Sequence, residues 1–400
     1  MRFVACAALL LAVSFGARQS MALFLSTLNT TTGLGIATVS LAFAIGQLWW
    51  GITQPIAGGF ADKFGSARVM MTGALMIALG LALTPLATSF PMLVLCIAIL
   101  GAGGAGALGP SVMMSAVARR ISESQRGMAT GIVNAGGSVG QFLIVPLTQA
   151  MISGWGWMMA LWGLSLLTLL AMPLIAPFRR TLADAASNAT GGAASDTLSQ
   201  AIRRAGADPS FLLLGAGFFV CGFHVAFIAT HLPGVVAACG LTPAVGAWSL
   251  ATIGLFNVVG SLTVGWAVGR YRMKYLLSGL YATRGLAVFI FLLAPKTELV
   301  MLLFAAVIGA TYLSTVPPTA GLVAKLHGPR FMATLFGLVM LSHQVGGFLG
   351  AWLGGKVFEA TGSYDWVWYI DIGLAIFAAL VHLPIREAAP VPRVETAAAR

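Results

Sequence analysis

The sequence predicts an all-α membrane protein of twelve transmembrane helices, arranged as two pseudosymmetric six-helix bundles. Three observations predict it. Of 400 residues, 58% are hydrophobic and 8% charged, with a mean hydropathy of +0.93, whereas soluble domains carry about 25% charged residues. Polar and Gly/Pro breaks divide the chain into twelve apolar stretches, each close to the roughly 20 residues that a helix needs to cross the hydrocarbon. The two halves also repeat one another around one long polar segment. Nothing alternates apolar and polar over strand lengths, which argues against a transmembrane barrel.

In chain order the spans are expected at 3–27, 37–59, 67–86, 90–115, 127–152, 155–177, 210–236, 244–268, 275–294, 298–324, 332–357 and 365–386. The opening "MRFVACAALLLAVSFGA" has the basic start, apolar core and small residues of a signal peptide. Its apolar run continues past Arg18 to Leu28, long enough to span, so it is read as span one. Residues 178–209 are rich in Ala, Ser, Gly and Asp. They read as a cytoplasmic linker with a short amphipathic helix around "DTLSQAIRRAG". The expected division is a first bundle over 1–178, the linker over 179–209, a second bundle over 210–387 and a cytoplasmic tail over 388–400. The cysteines Cys6, Cys96, Cys221 and Cys239 lack metal-ligand spacing and read as small core residues without disulfides.

The repeat is visible in three places. "QRGMATGIVNAGGSVG" at 125–140 echoes "PRFMATLFGLVMLSHQVGG" at 329–347. "QPIAGGFADKFGSAR" at 54–68 echoes "SLTVGWAVGRYRMK" at 261–274, and "TTGLGIA" at 31–37 echoes "ACGLTPA" at 238–244. The offsets cluster at 204–207 residues, so the halves read as a duplication of like orientation.

The net charge of +11 follows topology. With both termini cytoplasmic, the inner loops and tails hold Lys63, Arg68, Arg119, Arg120, Arg126, Arg270, Arg272, Lys274 and their like. Only Lys296 and Lys356 fall outside. This positive-inside bias sets the orientation in a cell (inner) membrane and leaves no need for a nucleic-acid partner. Trp155, Trp157, Trp366 and Trp368 lie at span ends, as an aromatic belt does.

In "GGFADKFGSAR", Gly58 lets neighbouring helices approach and Gly65 permits a tight turn. Asp62 can pair with Arg68 or accept bonds from a facing helix N-terminus, with Lys63 beside it. Gly58-x-x-x-Asp62-Lys63-x-Gly65-x-x-Arg68 resembles the loop signature between helices two and three of the major facilitator superfamily. That resemblance implies a conformational gate that locks one bundle against the other and releases as they rock. In the second half Gly269 replaces the acid, so a weaker latch is expected there.

Within that superfamily, "GARQSMALFL", "ARRISESQRGMATGIVNAGGSVGQ" and "GFFVCGFHVAFIATHLP" resemble bacterial members of the monocarboxylate transporter group, with oxalate–formate-type antiporters nearby. The resemblance implies carriage of small carboxylates. The family's Asp and Arg, four residues apart on span eight, correspond here to Asn257 and Ser261. Where oxalate-type antiporters have a lysine on span eleven, His343 and Gln344 stand. The span-four arginine and span-five Gly-Pro of drug–proton antiporters are missing.

Intramembrane charges cost about 2.5–3.5 kcal/mol on insertion scales, so each needs a purpose or a partner. Arg18 lies about 15 residues into span one, roughly 22 Å along a helix. The resemblance places spans one, four, seven and ten around a central cavity, which suits Arg18 to a carboxylate through two parallel hydrogen bonds, with Gln19 a further substrate-binding candidate. The alternative is a buried arginine satisfied by carbonyls, with Gln19 or Ser20 helping. Gly16 and Gly222 correspond in the repeat, which sets His224 opposite Arg18 so that the two could hold one anion between them. His224 could also couple protons. Arg284, about ten residues into span nine, reads either as a substrate or gating residue or as a structural one. Asp371 is its candidate partner, although helix counting sets Asp371 about 8 Å further out. Asn134, Gln141, Asn257, His343 and Gln344 lie on spans that border the cavity and read either as substrate hydrogen-bonding candidates or as groups that join helices at about 1 kcal/mol each. Gln47 and Gln54 have the same two readings, and Tyr281, Tyr312 and His231 are weaker candidates.

No residues assemble a catalytic constellation, a metal site or a phosphate loop. "GAGGAGALG" at 101–109 lies inside span four and reads as close helix packing. Neither enzyme activity nor a cofactor is expected. The expected function is secondary active transport of small organic anions, monocarboxylates foremost, by alternating access, with proton coupling or exchange. The chain is read as a monomer whose partners are its substrate, a coupling proton and the bilayer. The alternatives are an exporter of drugs or other small molecules, and a non-transporting sensor.

Overall fold

A computed structural model describes residues 2–102, 108–109, 112–113, 116, 123–179, 198–268, 270–327 and 332–387. The expected tail, linker residues 180–197, Gly269 and the glycine-rich residues 103–107 lie outside them. All regular structure among the described residues is helical. This is what a bilayer demands, since a helix satisfies its own backbone polar groups.

Span one runs Arg2–Ser20, tightens to a 3-10 turn over Met21–Phe24, and resumes over Leu25–Thr32. Spans two and three are Ile36–Phe64 and Ser66–Leu83, and span four begins as Phe90–Ala102. Span five is Glu123–Trp155; span six is Trp157–Leu170 with a 3-10 tail over Met172–Phe178. Leu198–Ala207 is a helix, within the stretch where an amphipathic one is expected. Spans seven, eight and nine are Pro209–Ala238, Pro243–Val268 and Met273–Leu293. Span ten is broken into Glu298–Thr311 and Val316–His327. Spans eleven and twelve are Met332–Thr361 and Asp365–Val381. Among the described residues ten of these segments are long and apolar enough to cross a membrane, and Phe90–Gly101 is a shorter apolar helix.

Local chemistry sets several boundaries. Asp208 caps span seven by accepting a bond from Ser210 N at 2.9 Å, with Pro209 in the first turn. Gly65 turns the chain between spans two and three at φ 94°, a conformation that disfavours any residue with a Cβ. The span expected over 298–324 is present as one candidate span, Glu298–His327, and carries an internal break. Pro317 and Pro318 follow it. A proline sits easily in the first turn of a helix but disfavours α conformation in the residue before it.

The packing is doubled. Span one lies on five as seven lies on eleven; two lies on four as eight lies on ten; three lies on six as nine lies on twelve. Small residues make close pairs possible. A Cβ on Gly136 would sit 2.7 Å from Ala8 Cα, so spans one and five meet backbone to backbone. The halves join where two meets eleven and five meets eight. Ala44, Ala226 and Ala351 pack together there with Phe348 and Trp352 beside them.

Span nine has no cap of its own, and the chain's far end supplies one. Glu387 accepts Met273 N at 3.1 Å through one carboxylate oxygen and Lys274 N at 3.0 Å through the other, while Lys325 Nζ stands 3.3 Å away. An anion at a helix N-terminus meets both the free N–H groups and the dipole. The Glu387→Ala variant is therefore expected to lose about 1–2 kcal/mol of stability, seen as a lower unfolding midpoint of the purified protein in detergent. An unchanged midpoint would contradict the capping role.

Candidate functional site

The 3-10 turn after Ser20 changes the course of span one just past Arg18. Ser20 Oγ donates to the Gly16 carbonyl at 2.9 Å and receives a bond from Thr148 Oγ1 at 3.0 Å, fixing this bend against span five. Arg18 then faces a small, partly open cleft between the halves, with a cavity volume of about 50 Å³. Its walls are Arg18, Gln19, Met21 and Ala22 of span one, Phe43, Gly46 and Gln47 of span two, Ile97, Leu100 and Gly101 of span four, and Ala229 and Thr230 of span seven. The mostly apolar lining with few polar groups is that of small-molecule sites.

Arg18 is the single charged residue among those walls. Its guanidinium donates to Gln47 Oε1 and lies 3.9 Å from the centre of the Trp50 ring, a cation–π distance. A guanidinium has five N–H donors, so one amide leaves most of them for another acceptor. Gln47 and Trp50, three residues apart, share a helix face. Trp50 was missed as a partner of Arg18; its place inside span two, away from the span ends where belt tryptophans sit, was the available signal.

His224 does not join Arg18. It lies 1% exposed inside the second half, with Nε2 at 3.2 Å from Asp371 Oδ1 and 3.1 Å from the Asp371 carbonyl. Its Nδ1 is 3.5 Å from Arg284 Nη1. The expectation of a facing pair is corrected: Arg18 reaches out to span two, whereas His224 turns back to the polar partners on spans nine and twelve. A buried ring nitrogen goes where its hydrogen bonds are.

Arg284 is 1% exposed and stands apart from the Arg18 cleft. Nη2 donates to the Thr311 carbonyl and, at 3.0 Å, to the Tyr312 carbonyl. These are acceptors that the break in span ten leaves without helical partners. The opposite side of the break is held by Asn257, whose Oδ1 accepts Leu313 N at 3.0 Å. Cys221 Sγ and Thr315 Oγ1 meet at 3.2 Å beneath it. The direct Arg284–Asp371 pair that helix counting made awkward is absent; His224 stands between the two.

The remaining candidates distribute differently. Gln19 is 5% exposed, lines the cleft and lies against the Tyr312 hydroxyl. Asn257 Nδ2 donates to Ser138 Oγ at 3.0 Å, and Gln141 Nε2 donates to the Leu250 carbonyl at 2.7 Å. Both bonds tie span five to span eight, so these amides join the halves and do not line the cleft. Gln344 is buried against Gly51 of span two. His343 packs on Phe218, ring centres 4.9 Å apart, and Asn134 is half-buried on span five; neither borders the cleft. Of the gate motif, Gly65 makes the turn and Arg68 is exposed at the start of span three. The surroundings of Gly58, Asp62 and Lys63 lie outside the described residues.

Comparison with known proteins agrees with this architecture. The family model described as Major Facilitator Superfamily matches residues 7–351 and 214–399. Monocarboxylate transporter 13 of Rattus norvegicus is 27% identical over 364 residues, covering 88% of this chain and 81% of the relative. The oxalate:formate antiporter of Oxalobacter formigenes is 29% identical over 150 residues, 38% of this chain and 35% of that protein. A crystal structure of a bacterial homolog of the human lysosomal transporter Spinster, inward-facing and occupied, superposes with a TM-score of 0.74 at 14% identity, covering 95% of each chain; this likeness is one of fold. With twelve apolar segments, doubled packing and a family match across both halves, the chain belongs to the major facilitator superfamily of membrane transporters.

Proposed function

We propose that this transporter carries small organic anions, monocarboxylates in particular, across the cell (inner) membrane by alternating access. The observation that carries the reading is the lone guanidinium of Arg18 in a mostly apolar cleft between the halves, with no carboxylate among the described walls. One cation suits one carboxylate. Met21, Phe43, Ile97 and Leu100 suit an apolar body attached to it. The names of the rat and Oxalobacter relatives point to the same chemical class. That no acid stands among the described walls disfavours a cationic drug as cargo.

Alternating access fits the way the halves meet. The bonds from Asn257 to Ser138 and from Gln141 to Leu250 are few and local. Glycines face the partner half at Gly51 against Gln344 and Gly355 against Ser40, so each bundle can rock as a body. With both termini cytoplasmic, as the positive-inside bias indicates, the packed end near Gly35 and Gly355 is the outer one. Gly58, Asp62, Lys63, Gly65 and Arg68 then form the inner gate.

The test is ligand-dependent stabilisation of the purified protein against a panel of carboxylates, followed by flux in liposomes. A ligand stabilises the fold it binds. Arg18→Ala is expected to weaken monocarboxylate binding about 10–100-fold, the equivalent of about 1.5–3 kcal/mol for a charge-assisted hydrogen bond, while the unliganded protein still folds. Dicarboxylates of similar size should bind more weakly than monocarboxylates. Undiminished binding in Arg18→Ala would remove the basis of the reading.

A further inference from the structure

We propose that Asp371, positioned by His224, is a buried proton-binding site in the second half, separate from the Arg18 cleft. Asp371 is 0% exposed on span twelve, and neither carboxylate oxygen has a hydrogen-bond partner of good geometry. The nearest cation, Arg284, is occupied elsewhere, since Nη2 serves the Thr311 and Tyr312 carbonyls. What faces the acid is His224 Nε2 at 3.2 Å.

The hydrogen bonds determine which group takes the proton. Arg284 Nη1, a donor, stands 3.5 Å from His224 Nδ1, so Nδ1 is the ring's unprotonated nitrogen and Nε2 carries its hydrogen. Nε2–H points to the Asp371 carbonyl, 3.1 Å away. A further proton cannot settle on Nδ1 against the guanidinium. It settles on the unpartnered Asp371 carboxylate, which becomes a neutral acid, and the same proton leaves on release. Other titratable or charged groups around the pair are Cys221 on span seven, Tyr281 on span nine and Tyr312 on span ten. His343 on span eleven reaches them through Cys221.

The site is connected to the cleft. Loss of the Asp371 charge removes the counter-charge of Arg284, which holds Tyr312 by its carbonyl. The Tyr312 hydroxyl donates to the Val225 carbonyl at 3.0 Å and stands near Gln19, a wall of the cleft. This connection, unlike the proton site, rests on the reading of the cleft as the anion site.

Infrared difference spectra of the full chain in lipid, recorded as pH is stepped, read the acid directly. The wild type is expected to show a protonated-carboxyl band that appears as pH falls and is lost in Asp371→Asn. In His224→Gln the band should persist with a displaced pH midpoint, a readout that does not depend on how well the Asn variant folds. Identical difference spectra in wild type and Asp371→Asn, or an unmoved midpoint in His224→Gln, would overturn the proposal. Adding a monocarboxylate should move the wild-type midpoint. A band that titrates but ignores carboxylate supports the proton site and counts against the anion reading of the cleft.

Discussion

A guanidinium buried within a membrane-spanning helix is held here by carbonyls that a broken helix leaves bare. That interaction orders the second half. Span ten stops at Thr311 and resumes at Val316. The exposed backbone groups would each cost free energy comparable to a lost hydrogen bond. Arg284 takes two carbonyls and Asn257 takes the N–H of Leu313. The guanidinium also needs a counter-charge, which Asp371 supplies across His224. Break, cation, histidine and acid therefore form one unit drawn from spans seven, nine, ten and twelve.

Among the described residues the first half shows no such unit, an asymmetry that fits the proposed function. Its intramembrane cation, Arg18, is held by an amide and an aromatic face, partners that steady it without neutralising it. One half thus presents a charge to the cleft, and the other keeps its charges internally balanced. The duplicated packing, one on five and seven on eleven, carries both arrangements on the same backbone plan. Amides of spans five and eight, once released from lining duty, are free to hold the halves together.

The architecture was legible because the bilayer leaves so few options: apolar runs of helical length, glycine turns and the repeat each had one reading. Arg18 and Arg284 both stood out as charges inside apolar runs, but only the neighbours show that Arg18 lines a cleft while Arg284 turns to backbone carbonyls. The placement of His224 was not legible. Repeat equivalence gives its height on the helix but not the partners waiting around it, and those come from spans far away in the chain. Counting residues from span ends treated helices as aligned rods, so it judged Arg284 and Asp371 only as a direct pair and missed the ring between them. The break in span ten had a local cue in "TYLSTVPP". Total hydropathy across 298–324 masked it.

The account rests on Arg284 and Asp371 being energetically coupled through His224. A double-mutant cycle of Arg284→Met and Asp371→Asn, scored by unfolding of the purified protein, measures that coupling. Removing one member of a buried pair leaves the other uncompensated and costs about 3–5 kcal/mol. The double variant should therefore lose less than the two singles together, by about 1–3 kcal/mol. Losses that add to within about 0.5 kcal/mol would show that the two residues act independently, and would contradict the unit described here.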